Sequence, residues 1–129
     1  MNPLIGRTIT RVMITSDKKA LRFHVDGAEP VVVKVDGDCC SDTWIESLDA
    51  PENLFGTVLS IKDIEMPDLG TPEEYECIAY YGCRIVTDKG VCVIDYRNSS
   101  NGYYGGNLYW PDDGYYYGGV YGQNEHNND

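Results

Sequence analysis

A chain of 129 residues is long enough to fold as one domain around a single core without help from disulfides. Its hydrophobic fraction of 42% is lean, although eleven tyrosines add apolar area with a polar tip, and no stretch approaches the roughly 20 apolar residues of a bilayer span. Ten bases against 21 acids give a formal net charge of −11, which argues against direct binding of DNA or RNA, where phosphate attraction dominates affinity.

In chain order, Arg7 to Thr15 is rich in β-branched residues and predicts a first strand. Asp17-Lys18-Lys19 supplies a turn. Leu21, Phe23 and Val25 then alternate with Arg22, His24 and Asp26, the pattern of a half-buried strand. Gly27 to Pro30 turns the chain, and Val31 to Val35 is apolar enough to be covered on both faces. These three strands predict an antiparallel meander. Asp36-Gly37-Asp38-Cys39-Cys40-Ser41 leads into a predicted short helix, capped by Ser41 or Asp42 and stopped by Pro51. Trp44, Ile45 and Leu48 would share its apolar face.

Gly56 to Glu65 predicts the next strand, and Met66 to Glu74 an acidic, proline-containing loop. Tyr75, Cys77, Ala79, Tyr81, Cys83 and Ile85 follow period two and share one strand face. Asp88-Lys89-Gly90 forms a hairpin turn, after which Val91 to Tyr96 reads as a central strand. From Arg97 onward Asn, Ser, Gly and Tyr dominate. Asn107 to Trp110 fits a short strand, and residues 111–129 have the composition of a mobile or weakly docked tail, disordered over Gln123 to Asp129.

The two halves repeat each other. Leu4-Ile5-Gly6-Arg7-Thr8-Ile9-Thr10 returns as Leu54-Phe55-Gly56-Thr57-Val58-Leu59-Ser60, and Val31-Val32-Val33 returns as Val91-Cys92-Val93. At the second offset Asp38-Cys39-Cys40-Ser41 lies over Asn98-Ser99-Ser100-Asn101, two polar loops that each leave a strand. The expected fold is therefore mainly β (α+β): two duplicated three-stranded antiparallel meanders with one short helix and a pseudo-twofold axis. The halves span about residues 4–50 and 54–110 of a single domain, 1–110.

Charge is uneven. From Val35 to Cys83 there are twelve acids and one base, Lys62, so the whole net charge belongs to the middle of the chain. Such a stretch docks on a basic partner, mimics nucleic acid, or serves as a solubilising face. Five cysteines show no Cys-x-x-Cys spacing. Their odd number, with no basic and apolar leader at the N-terminus, predicts reduced thiols in a cytoplasm. Cys77, Cys83 and Cys92 lie in strand patterns and are expected to be core.

Three places invite a functional reading. Cys39-Cys40 would gain reactivity at a helix start, but Asp36, Asp38 and Asp42 push a thiol pKa upward and neither His24 nor His126 is placed as a base. Asp36, Asp38 and Asp42 lack the Gly and Glu spacing of a calcium loop, and adjacent cysteines make an awkward zinc site, so no metal and no cofactor is expected. The third is Tyr96-Arg97-Asn98-Ser99-Ser100-Asn101-Gly102-Tyr103-Tyr104-Gly105-Gly106, whose Tyr, Ser, Gly and Asn make adaptable recognition loops and whose Arg97 suits an anionic group.

Three segments carry a family resemblance: Leu4-Ile5-Gly6 with Thr8-Ile9-Thr10, Gly37 to Ser41 with Thr43-Trp44-Ile45-Glu46, and Asp95 to Gly106. They resemble a family of short phage and prophage proteins over about residues 4–110. The resemblance implies a bacterial host cell's cytoplasm and carries no activity.

The expected function is a non-enzymatic phage-type accessory protein that binds and antagonises a bacterial defence component. Asp38, Cys39, Cys40, Ser41, Trp44, Tyr96, Arg97, Asn98, Ser99, Ser100, Asn101, Tyr103 and Tyr104 would form the binding face. The alternative is sequestration of a small nucleotide-like signal, with Arg97 on phosphate and tyrosines on the base. A cysteine-dependent enzyme and a virion structural protein follow in order. The tyrosine-rich tail also fits a homodimer; the sequence leaves this undecided.

Overall fold

The structure is a computed structural model and describes residues 2–37, 41–71, 77–100 and 106–111. It is mainly β, with eight strands: β1 (Ile9–Ile14), β2 (Ala20–Val25), β3 (Val31–Gly37), β4 (Asp42–Asp49), β5 (Val58–Glu65), β6 (Ile78–Thr87), β7 (Gly90–Ser99) and β8 (Gly106–Tyr109). They form two four-stranded antiparallel sheets, ordered β1-β2-β3-β8 and β4-β7-β6-β5. Both expected meanders are present, as β1-β2-β3 and β5-β6-β7. Each gains a fourth strand on the outer edge of its third strand, and that fourth strand follows the other meander in the chain.

One cluster of buried side chains draws on both sheets. Leu21, Phe23, Val25, Val31, Val33 and Val35 come from the first, and Ile45, Val58, Cys83, Ile85, Cys92, Ile94 and Tyr96 from the second. These follow period two along each strand, so alternation sends them inward. Val32 and Val33 are both buried, as the all-apolar run of β3 requires. β7 is interior to its sheet, flanked by β4 and β6. Cys83 and Cys92 are core residues, whereas Cys77 is only half-buried.

The segments that repeat in sequence meet. Thr8 and Thr57 form an antiparallel bridge between the starts of β1 and β5, with Gly6 N–H donating to the Val58 carbonyl and Val58 N–H to that of Arg7, each at 2.9 Å. Leu4 and Leu54, which open the two similar segments, are both fully buried in the common core.

The expected helix after Ser41 is a strand instead. β4 pairs with β7 from Asp42↔Ser99 to Asp49↔Val93. Its register shifts between Ile45 and Ser47, where one extra residue bulges. Ile45 and Leu48 thereby face the core together although three positions apart, the spacing that suggested a helix. The one helical turn among the described residues is a 3₁₀ turn over Pro51–Leu54, which begins at the proline expected to end a helix. The tail expected beyond Pro111 lies outside the described residues, as does Tyr75.

Candidate functional site

The connection from β3 to β4 and that from β7 to β8 are each a crossing from one sheet to the other. Their flanks are hydrogen-bonded partners: Gly37 pairs with Gly106, and Asp42 pairs with Ser99. The two polar loops singled out by the sequence therefore start and finish side by side at one end of the molecule. Asp38, Cys39, Cys40, Asn101, Tyr103 and Tyr104 lie outside the described residues; Ser41, Trp44, Tyr96, Arg97, Asn98, Ser99 and Ser100 are described.

Beneath the loop ends sits a packed polar corner. Asn98 is fully buried, and the buried Thr43 Oγ1 donates to its Oδ1 at 2.7 Å. Gly106 closes over this pair: a Cβ there would stand 2.7 Å from both Thr43 Oγ1 and Cγ2, and 3.3 Å from the Asn98 Cβ. Only glycine lets β8 approach so near. Gly106 N–H donates to the Tyr81 hydroxyl at 3.3 Å, and the Tyr81 ring stacks on Tyr96 at 5.2 Å between centroids. Ser100 is buried, and its N–H donates to the Cys77 carbonyl at 3.0 Å. Tyr96, Asn98 and Ser100 thus build the support beneath the loops, while Arg97 and Ser99 alternate with them toward the outside.

The tip of the β1–β2 hairpin clamps the same corner. Lys18 adopts positive φ, and its carbonyl accepts from the Ile45 N–H at 2.8 Å, while the Lys19 carbonyl accepts from Val35 N–H at 2.8 Å. Lys19 Nζ forms a short ion pair with Asp42 and donates to the Thr43 carbonyl at 2.5 Å. Lys18 and Lys19 gave no local sign of this role, because their partners Val35, Asp42, Thr43 and Ile45 are distant in the chain.

On the outer face of the second sheet, one row runs Trp44, Arg97, Tyr80 across β4, β7 and β6. The Arg97 guanidinium lies 4.9 Å from the Tyr80 ring centroid. Its Nη2 is 3.3 Å from Asp95 Oδ2, and its Nη1 is 3.8 Å from Glu46 Oε1, which also accepts from Trp44 Nε1 at 2.9 Å. Burial opposes the charge on Arg97, but the hydrogen bond and charge of Asp95, with Glu46, outweigh it and raise the guanidinium pKa above its ordinary value. Arg97 is therefore neutralised from within the chain, and an incoming phosphate would have to displace two carboxylates.

The strands of the same sheet carry six acids, Asp42, Glu46, Asp49, Asp63, Glu65 and Asp95, against three bases, Lys62, Arg84 and Arg97. Residues 41–100 carry twelve acids and four bases, whereas residues 2–37 carry four acids and six bases. Asp42, Glu46, Asp49, Glu52, Asp63, Glu65 and Asp68 are all exposed.

Two core thiols are disabled as nucleophiles. Burial, with the charges of Asp63 and Cys92, pushes Cys83 up to about 12 from 9.0; burial, with Asp49 and Glu52, does the same for Cys92. Since the folded-state values are raised, their stabilising contribution is complete below pH 9 and is lost as the pH climbs toward 12. The expected result is a urea midpoint that falls between pH 9 and 12 in the wild type and falls less steeply in the Cys83→Ala/Cys92→Ala variant. Parallel slopes in the two proteins would contradict it. Burial and the Asp63 charge likewise raise the Tyr96 phenol above its usual value.

Among the described residues no helix is long and apolar enough to cross a membrane. Residues 2–110 match the model of a family described as Domain of unknown function (DUF7448). No curated protein and no solved structure matches the chain.

Proposed function

We propose that this chain, which belongs to the family described as Domain of unknown function (DUF7448), is a non-enzymatic module that binds a protein partner through its loop end and the adjoining outer face of the second sheet. The observation that carries this reading is the pairing of the loop flanks, Gly37 with Gly106 and Asp42 with Ser99, on a rigid polar corner. Variable loops on a fixed scaffold are the usual seat of recognition. Trp44, Arg97 and Tyr80, the residue types that most often anchor protein interfaces, lie beside that end.

Duplication of an ancestral four-strand unit is part of the proposal. The reciprocal strand order, with β8 beside β3 and β4 beside β7, is what two halves exchanging their last strands would produce. The antiparallel Thr8–Thr57 bridge between the two similar segments is compatible with a pseudo-twofold axis running through it. On this reading residues 1–110 are the folded unit and 111–129 an appendage.

The phage-like motifs and the acidity of residues 41–100 suggest the partner class: a basic surface on a bacterial defence component, met in the host cytoplasm. The carboxylates around Arg97 favour this over capture of a nucleotide-like signal. Affinity capture with the tagged full chain from bacterial extract tests the reading. One host protein should be retained specifically, and Trp44→Ala should weaken it about thirtyfold, the effect of losing one interface anchor of about 2 kcal/mol. Absence of any specifically retained protein, or full retention by Trp44→Ala, would overturn it.

A further inference from the structure

Beside the Trp44–Arg97–Tyr80 row, the outer face of the second sheet is hollow. A cavity of about 410 Å³ is lined by Ser47, Leu48, Asp49, Ile64, Met66, Val93 and Asp95. Gly82, which in register lies between Ile64 of β5 and Asp95 of β7, shapes one side of it. With no side chain at that point, Met66 and Ile64 fold down over the strand, so that a Cβ on Gly82 would meet Met66 Sδ at 2.6 Å and Ile64 Cγ1 at 2.9 Å. One wall of the hollow is therefore apolar, made of Met66 and Ile64, and Val93 continues it along β7.

The opposite side is anionic. Ser47 is paired with Asp95 and Asp49 with Val93, which makes Asp49 and Asp95 diagonal neighbours on one face, roughly 7–8 Å apart along the backbone. Arg97 Nε and Nη2 reach Asp95 Oδ1 and Oδ2 at 3.4 and 3.3 Å, and each carboxylate oxygen has a second lone pair for a further donor. Asp49 has no ion-pair partner among the described residues. Arg84, opposite Val93, and Lys62, opposite Arg84, are exposed at one end of the hollow, where their long stems carry the charge into water.

We infer that this hollow is a socket for an arginine side chain presented by the protein partner. The apolar wall takes the methylene stem, and the planar guanidinium, with five donors in a fixed fork, spans the carboxylates of Asp49 and Asp95. A lysine ammonium is a single compact charge and reaches only one of them. Charge selects the occupant: the lining of the hollow holds two carboxylates, Asp49 and Asp95, and no base, and the strands of the sheet carry six acids to three bases. The inference rests on the protein-binding reading above and names the chemistry recognised.

The test is an NMR titration of the isotope-labelled full chain with Nα-acetyl-arginine amide, with Nα-acetyl-norleucine amide as the neutral control. Saturable shifts are expected at the Met66 methyl and at the Gly82 and Val93 amides. Asp49→Asn, an exposed change that leaves the fold intact, should weaken them about tenfold, and norleucine amide should not reproduce them. Shifts confined to other residues, equal shifts with norleucine amide, or an unchanged affinity in Asp49→Asn would overturn the socket. The two readings fail separately. A captured host protein that binds wild type and Asp49→Asn equally removes the socket and leaves protein binding in place. Arginine binding at the socket with no protein captured does the reverse.

Discussion

Replacing Asn98 by leucine is expected to destabilise the protein by about 3 kcal/mol, which lowers the melting temperature by roughly 10–20 °C for a domain of this size. Asn98 is fully buried at the end of β7 and accepts from Thr43 Oγ1 at 2.7 Å across the β4–β7 pair. The substitution strands the Thr43 hydroxyl without its acceptor in a place water does not reach, and an unmet buried donor costs about 1–3 kcal/mol. It also puts a branched side chain under Gly106, where the Asn98 Cβ already stands 3.3 Å from the position of an added Cβ. Thr43→Val on its own removes the hydroxyl that donates to the Asn98 oxygen, so it too is destabilising. The double variant Thr43→Val/Asn98→Leu should recover about 1 kcal/mol relative to the sum of the singles, because both single changes break the same hydrogen bond. Urea unfolding of the four proteins measures this. A single-variant cost below about 1 kcal/mol would mean that the corner is not what fixes the loop end.

The corner also shows where sequence reading reached and where it stopped. Asn98 and Ser100 stood out as recognition-loop residues because Asn and Ser are common in adaptable loops. Their burial is invisible locally: Gly106 of β8 closes over Asn98, and Ser100 bonds to Cys77, distant in the chain. Arg97 reads in sequence as a group for an anionic ligand, and the anions that meet it are the chain's own: Asp95, two positions away on the same strand face, and Glu46, which reaches it only through the β4–β7 pairing. The hollow beside Met66 and Ile64 also needs Asp49 and Asp95 from other strands, and no window of sequence contains them together.

Element by element, the strands were readable wherever alternation was clean. β2 and β6 keep period two throughout, and the hairpin between β6 and β7 closes on Asp88-Lys89 with Gly90 at positive φ, as its turn residues imply. β4 was misread for a specific reason. A bulge between Ile45 and Ser47 converts the core-facing spacing from two to three, so Ile45 and Leu48 imitate the stripe of a short helix. The pairing of β7 with β4 and of β3 with β8 was likewise beyond local pattern. Alternation states which face a strand buries and is silent about whose edge it joins.

Truncating Leu4 or Leu54 to alanine is expected to cost about 3 kcal/mol in each case, and the two costs should agree to within about 1 kcal/mol. Both side chains are fully buried in the shared core, one before β1 and the other closing the 3₁₀ turn before β5. A fully buried leucine cut to alanine loses its transfer energy and leaves a cavity that a close-packed interior does not refill. Near-equality is not required by burial alone, since measured costs at buried leucines spread by about 2 kcal/mol with how far each site collapses. It follows if the two sites are copies, held in the same way on either side of the Thr8–Thr57 bridge. Parallel unfolding curves for Leu4→Ala and Leu54→Ala carry the comparison. A cost below 1 kcal/mol for Leu4, beside a full cost for Leu54, would mean that the N-terminal segment frays from the core and that the repeated strings occupy unequal places. Equal costs would mean that the two halves answer the same perturbation alike, the energetic counterpart of their reciprocal strand order.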